Sequence, residues 1–205
     1  MNDIRIYQKE NFLSAEECEF LTWMAECQDE WDPMPGTLFD NRTIDFFTTL
    51  QHRRYSSPAL QRLSMQVYRK TQEFVAKSFG LDVNVVFMAI VRTLHGEEQI
   101  PHRFGEDGSG IVAGCVTFLN DDFIGGVSYY PNLNVEITPR LGFTYASSAD
   151  DTHAHGIGDV TGSPRYSIVS TWTTNPMSEI MTERTTKLKE YLEACCSEEK
   201  PVVTP

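Results

Sequence analysis

The run RYSIVSTWTT (165–174) is rich in β-branched and aromatic residues and opens directly after Gly-Ser-Pro at 162–164. That composition, bounded by turn residues, predicts a β-strand. Four earlier runs share the character: VNVVFMAIVRTL (83–94), IVAGCVTFL (111–119), VSYYP (127–131) and LGFTYASS (141–148). Clusters of Gly, Asn, Asp and Pro separate them at hairpin-like distances. Upstream the period changes. NFLSAEECEFLTWMAECQDE (11–30) reads as a helix, with Ser14 as N-cap, Glu17 completing a capping box, and Phe20, Leu21 and Met24 as its apolar stripe. A second helix runs from Ser57-Pro58 to about Phe79, carried by Leu60, Leu63, Val67, Thr71, Phe74 and Val75 and stopped by Gly80. Between the two, Pro33, Pro35 and Gly36 are expected to break any regular element over 31–57. A last amphipathic helix is predicted over about 177–194, with Ile180, Leu188, Tyr191 and Leu192 inward, ahead of a frayed tail, SEEKPVVTP (197–205). Helices followed by short strands predict an α+β chain with an antiparallel sandwich core. One domain is expected over 1–205, with helical support at 11–80, a strand core at 83–175, and a C-terminal helix and tail at 176–205.

Charge narrows the function classes. Seventeen basic residues against 29 acidic ones give a net charge of −12. Such a chain repels phosphate backbones and carries no basic cluster, so a nucleic-acid partner is not expected. No apolar run is long enough for a membrane helix, and MNDIRIYQKENF (1–12) lacks an apolar signal core. The five cysteines have no CxxC spacing, and their one close pair is the adjacent Cys195-Cys196. Reduced thiols in a cytoplasm are the expectation.

Of the five histidines (His52, His95, His102, His153 and His155), two stand where chemistry is plausible. His102 follows a strand and the loop GEEQIPH (96–102), and His155 lies in DDTHAHGIGDV (150–160), just before the last strands. An antiparallel barrel brings such strand ends together at its mouth. Two imidazoles there, joined by a carboxylate, would form the facial triad that holds non-haem Fe(II) with open positions. His52 and His95 read as structural or surface residues. Arg165, ten residues after His155, opens a strand from which a guanidinium can hold a carboxylate through two parallel hydrogen bonds. The bland alternative for such an arginine is a surface ion pair.

Four segments in order resemble one family. NFLSAEEC (11–18) resembles its opening helix, and IVRTLHGEEQIPH (90–102) the strand and loop that deliver a first iron histidine. TFLNDDFIGGVSYYPNLNVEITPRLG (117–142) is similar to a central segment of the form YLND…GG…fP…v.P..G. THAHGIGDVTGSPRYSIVSTWT (152–173) resembles the segment of the distal histidine and the cosubstrate arginine. The family is the Fe(II)/2-oxoglutarate-dependent oxygenases of the prolyl 4-hydroxylase-like group, including the compact forms of viruses and bacteria. The resemblance implies a double-stranded β-helix, a jelly-roll or cupin-like sandwich with helices on one face. It implies His102 and His155 as iron ligands, and Arg165 as the partner of the distal carboxylate of 2-oxoglutarate. The implied reaction oxidises an unactivated C–H of a small molecule or peptidyl residue with O2, releasing succinate and CO2, with ascorbate as a supporting reductant. His155 is preferred to His153 because glycine follows it directly and arginine lies ten residues on. On a strand His153 would point the same way, as a substitute or supporting group.

The chain departs from the family at its first motif. His-x-Asp is replaced by His102, Arg103 and Phe104, and a phenyl ring cannot ligate iron. Three readings stay open. Glu106 or Asp107, in the glycine-rich loop FGEDGSG (104–110), turns back as the carboxylate. Alternatively a halide takes the position, as in 2-oxoglutarate-dependent halogenases, although those place Gly or Ala there. In the third reading the protein is a non-catalytic metal- or 2-oxoglutarate-binding relative. Val127, where relatives commonly carry Glu, and Thr93, where an aromatic is common, are milder departures. Arg103, Phe104, Tyr166 and Trp172 are candidate pocket residues, with core packing as the commoner role of Trp172. The loops at 31–57 and 103–110 carry no decodable substrate signature, and nothing in the sequence fixes an oligomeric state.

Overall fold

The computed structural model describes residues 4–27, 31–33, 42–45, 58–105 and 108–180. The chain divides into two compact units, Met1–Thr174 and Asn175–Pro205. In the second, a helical turn covers 177–180, held by the amide of Ile180 donating to the Pro176 carbonyl. The rest of the predicted C-terminal helix lies outside the described residues.

In the first unit, Ile6–Lys9 (β1) precedes a helix at Ala15–Glu26 (α1). The predicted capping box is present. Ser14 Oγ accepts from the Glu17 amide at 3.2 Å, and Glu17 Oε2 accepts from the Ser14 amide at 2.9 Å. Two short strands follow, Asp32–Pro33 (β2) and Arg42–Asp45 (β3), inside the stretch expected to be irregular. Proline is tolerated in β2 because that strand is the last in its sheet and needs pairing on one side only. The second helix is Pro58–Phe79 (α2). Leu60, Val67, Thr71 and Val75 of the predicted stripe are buried, Leu63 and Phe74 are partly buried, and Ser64, outside the stripe, is buried with them.

The strands after α2 are Asn84–Thr93 (β4), Gln99–His102 (β5), Ile111–Phe118 (β6), Phe123–Gly125 (β7), Ser128–Tyr130 (β8), Val135–Ile137 (β9), Thr144–Ser148 (β10), His155–Ile157 (β11), Val160–Gly162 (β12) and Arg165–Thr173 (β13). A seven-stranded sheet runs β1-β10-β6-β13-β4-β3-β2, a four-stranded sheet runs β5-β11-β8-β9, and β12 pairs with β7 alone. All pairings are antiparallel. This is the jelly-roll arrangement, and among the described residues its sheets do not close into a barrel.

Alternation along β13 divides the core in two. Tyr166, Ile168 and Trp172 join Leu21 and Met24 of α1 and Leu60 and Val67 of α2 on the outer face of the large sheet. Trp172 is fully buried, stacks on Tyr68 at 6.1 Å and donates its Nε1–H to Ser170 Oγ at 2.9 Å. The inner cluster lies between the sheets and joins Val116 and Phe118 of β6, Tyr130 of β8, Ile137 of β9 and Tyr145 of β10. Its phenols are satisfied, Tyr130 by Ser147 Oγ at 3.0 Å and Tyr145 by Ser128 Oγ at 2.9 Å. Among the described residues no helix is long and apolar enough to cross a membrane.

Candidate functional site

β5 is an edge strand, so Pro101 deprives no neighbour of a hydrogen bond, and the strand delivers His102 at its end. β11 lies between β5 and β8, and there His155 is the direct antiparallel partner of His102. Their ring centroids are 4.8 Å apart. The glycine after His155 has a steric cause. A Cβ at Gly156 would meet the Gln99 carbonyl oxygen and Tyr129 Oη, each at 2.5 Å. Only glycine lets β11 fit between its neighbours while presenting the histidine.

Backbone carbonyls set both tautomers. His102 Nδ1 lies 3.0 Å from the Ile100 carbonyl and His155 Nδ1 3.2 Å from the His153 carbonyl. A carbonyl only accepts, so each Nδ1 carries the proton, and the neutral ring's lone pair is on Nε2. This is the form in which imidazole binds a metal. Burial, and then the neighbouring His102, push the pKa of His155 from 6.5 down to about 3.

His153 does not join the pair. It ends a 3-10 turn, Asp151–His153, instead of lying on a strand, so the two-residue alternation expected from the sequence does not apply. Its Nδ1 bonds Asp150 Oδ1 at 2.7 Å, and its Nε2 accepts the Arg5 amide at 3.2 Å. Both nitrogens are therefore engaged, and the His153 carbonyl accepts from His155 Nδ1.

Phe104 is 7% exposed, and its ring centroid lies 4.4 Å from that of His155. The ring is laid flat on the backbone of β6. A Cβ at Gly114 would come within 2.0 Å of Phe104 Cδ2. The preceding residue, Arg103, reaches out of the site to Asp151 Oδ1 at 2.9 Å, tying the end of β5 to the turn before β11. Glu106 and Asp107 lie outside the described residues. Among the described residues no group of three His, Cys, Asp or Glu side chains is arranged to hold a metal.

Arg165, the first residue of β13, points into the space between the sheets and is 1% exposed. Its Nη1 donates to Ser167 Oγ at 3.2 Å, and its guanidinium carbon lies 4.9 Å from the Phe118 ring centroid. Its Nε is buried with no hydrogen-bond partner. Burial lowers its pKa to about 10, opposed by Tyr145, so it stays charged at neutral pH. Thr93 is its direct partner on β4, shares its face, and also has a buried hydroxyl with no partner. No described carboxylate pairs with this arginine, and its charge reaches His155. A buried cation beside an unsatisfied hydroxyl is a cradle for an anionic carboxylate.

Tyr166 and Trp172, candidate pocket residues by sequence, lie on the opposite face of β13 from Arg165. They face the helices, and the Tyr166 hydroxyl donates to Glu26 of α1. Parity is the cause, because 165 and 166 necessarily project to opposite sides. The role of Gly114 was missed. A glycine inside an otherwise β-branched strand was its sequence signal.

No protein-family model and no curated protein matches the sequence. Solved structures do match, and they define a fold class, the jelly roll of the 2OG-Fe(II) oxygenases. The viral collagen prolyl hydroxylase of Paramecium bursaria Chlorella virus-1, solved with 2OG, matches at a TM-score of 0.66 and 15% identity, covering 85% of this chain and 98% of that one. A Pseudomonas putida prolyl-4-hydroxylase matches at a TM-score of 0.61 and 16% identity, covering 85% and 95%. A Burkholderia pseudomallei oxidoreductase of the 2OG-Fe(II) oxygenase family matches at 0.59 and 15%, covering 83% and 85%. At such identities the likeness establishes the fold.

Proposed function

We propose that this protein is an Fe(II)- and 2-oxoglutarate-dependent dioxygenase that oxidises an unactivated C–H of a small molecule or peptidyl residue. The observation that carries this reading is Arg165, buried and charged with an unpartnered Nε, whose charge reaches His155, the cross-strand partner of His102. The orphaned Arg165 Nε and Thr93 hydroxyl fit the distal carboxylate of 2-oxoglutarate. His102 and His155 fit two of a divalent metal's protein ligands, and the described residues offer no third. When bound, metal and 2-oxo acid together supply the oxygen-activating chemistry, with succinate and CO2 as co-products. The chain's own part is orientation and dryness. Carbonyls at 100 and 153 fix the imidazole tautomers, Arg165 fixes the cosubstrate's far end, and Phe104, Phe118 and Tyr130 keep water from the inner wall. A peptide substrate is supported by a neighbour, the Trichoplax adhaerens prolyl hydroxylase, solved with a fragment of the hypoxia inducible factor oxygen degradation domain (TM-score 0.60, 12% identity).

Phe104 favours a second reading, a metal- and 2-oxoglutarate-binding relative without turnover, or a halogenase in which chloride completes the metal's shell. The deciding experiment is succinate formation from 2-oxoglutarate with Fe(II), with and without ascorbate and chloride. Succinate that is lost in His102→Ala, His155→Ala and Arg165→Ala supports the oxygenase. A chlorinated product identifies the halogenase, and tight binding without succinate identifies the inactive relative.

A further inference from the structure

The space between the sheets is unusual in its charge. Arg165 contributes a buried positive charge with no described carboxylate beside it, and both histidines direct Nδ1 at backbone carbonyls, leaving Nε2 as the ligating atom. A divalent cation entering here would add two more positive charges to a poorly solvated space, where like charges repel strongly. Phe104 is fixed where the family's motif carries its aspartate, two residues after His102. Its ring occupies the volume that any side chain at position 114 would need, with Cδ2, Cε2 and Cγ all within 2.2 Å of a Cβ built there. Position 114 is glycine, so ring and backbone form a matched contact, closed further by the His155 ring at 4.4 Å.

We propose that Phe104 and Gly114 are a matched pair that closes the third protein-ligand position, so that metal capture at His102 and His155 depends on a dianionic 2-oxo acid anchored at Arg165. This rests on the oxygenase-like reading of the pocket and adds an obligatory partnership between its two ligands. The dianion offsets the charge that the missing aspartate would have offset, and it does so from a site that already attracts it. Linkage makes the dependence mutual, because a metal that needs the 2-oxo acid must strengthen 2-oxo acid binding by the same factor.

The test is equilibrium binding of Mn(II) to the full-length protein, followed by the loss of its free-ion EPR signal, with and without saturating 2-oxoglutarate. The expected result is that 2-oxoglutarate tightens Mn(II) binding by about tenfold or more, that Mn(II) tightens 2-oxoglutarate binding equally, and that Arg165→Ala abolishes the effect. Phe104→Asp should tighten Mn(II) binding in the absence of 2-oxoglutarate and shrink the coupling. Phe104→Leu, which stays apolar, should retain it. A pair of melting curves tests the matched contact without metal. Gly114→Ala should lower Tm by several degrees in the wild type and by much less in the Phe104→Ala background.

Equal Mn(II) affinity with and without 2-oxoglutarate, both binding, would overturn the proposal and leave the oxygenase reading standing. So would coupling that vanishes in Glu106→Gln/Asp107→Asn, since a protein carboxylate would then be at work. Failure of both ligands to bind in any combination would instead defeat the underlying reading.

Discussion

Along β13, Tyr166, Ile168 and Trp172 face α1 and α2, while Arg165 and Ser167 face the space between the sheets. On the outer side the Trp172 indole N–H and the Tyr166 phenol are both satisfied, while Arg92, cross-strand from Tyr166, keeps an unpartnered Nε beside its ion pair with Glu26. On the inner side stand a buried cation, an unsatisfied threonine hydroxyl across the sheet, and a histidine held neutral by burial. Burying apolar area stabilises a fold wherever it occurs, whereas burying an unpaired charge costs stability unless a ligand answers it. The two faces of one strand therefore divide the work. The helix side packs an apolar cluster against α1 and α2, and the sandwich side adds a buried cation and an unpartnered hydroxyl to its own aromatic cluster.

The sharpest break of this contrast is Trp172→Ala. It removes a fully buried indole stacked on Tyr68, and should cost about 3–5 kcal/mol in urea denaturation while leaving metal affinity intact in the folded fraction. A loss below about 1 kcal/mol would mean the outer face is not the stabilising one.

The next test uses pH. His155 has a folded-state pKa of about 3 against 6.5 unfolded, so between these values the unfolded chain binds more protons. Stability of the metal-free protein is then full above about pH 6.5 and is lost as pH falls toward 3, by up to a few kcal/mol. His155→Leu should flatten that part of the profile. An unchanged slope in the variant would show that other groups set the acid limit.

Arg165→Met offers the inverse of the tryptophan result. Replacing a buried cation, paired with no described carboxylate, by an apolar chain of similar length should raise the stability of the ligand-free protein by about 1 kcal/mol or more. The same change should abolish 2-oxoglutarate binding by calorimetry. A variant that is both destabilised and still binding would contradict the division of roles.

The smallest effect is expected at the rim, where Arg103 meets a largely exposed Asp151. Asp151→Asn should change stability by no more than about 1 kcal/mol. Its measurable consequence, if the pair aligns the ends of β5 and β11, is weaker Mn(II) binding that Arg103→Lys partly restores.

Much of the frame was legible because its signals are local. The Ser14–Glu17 box, the stripe from Leu60 to Val75, and the long runs that became β4, β6 and β13 each specify their own structure through caps, spacing or side-chain preference. His102, His155 and Arg165 could be singled out as well, since the resemblance rested on short motifs with fixed offsets. The very short strands were not legible in this way. β2, β7, β9, β11 and β12 are two or three residues long, too brief to show a period, whereas β8, equally short, was marked by its aromatic pair Tyr129-Tyr130.

What the sequence determined by itself, then, is the order of helices and long strands, the acidic surface charge and the presence of a phenylalanine two residues after His102. Only the tertiary structure decided that His102 and His155 are cross-strand partners, that His153 ends a 3-10 turn, that no described carboxylate pairs with Arg165, and that Phe104 lies on Gly114. The reason is distance along the chain. Caps and side-chain periods act over a few residues, whereas each of those contacts joins different elements, and its chemistry exists only once the two sheets have packed.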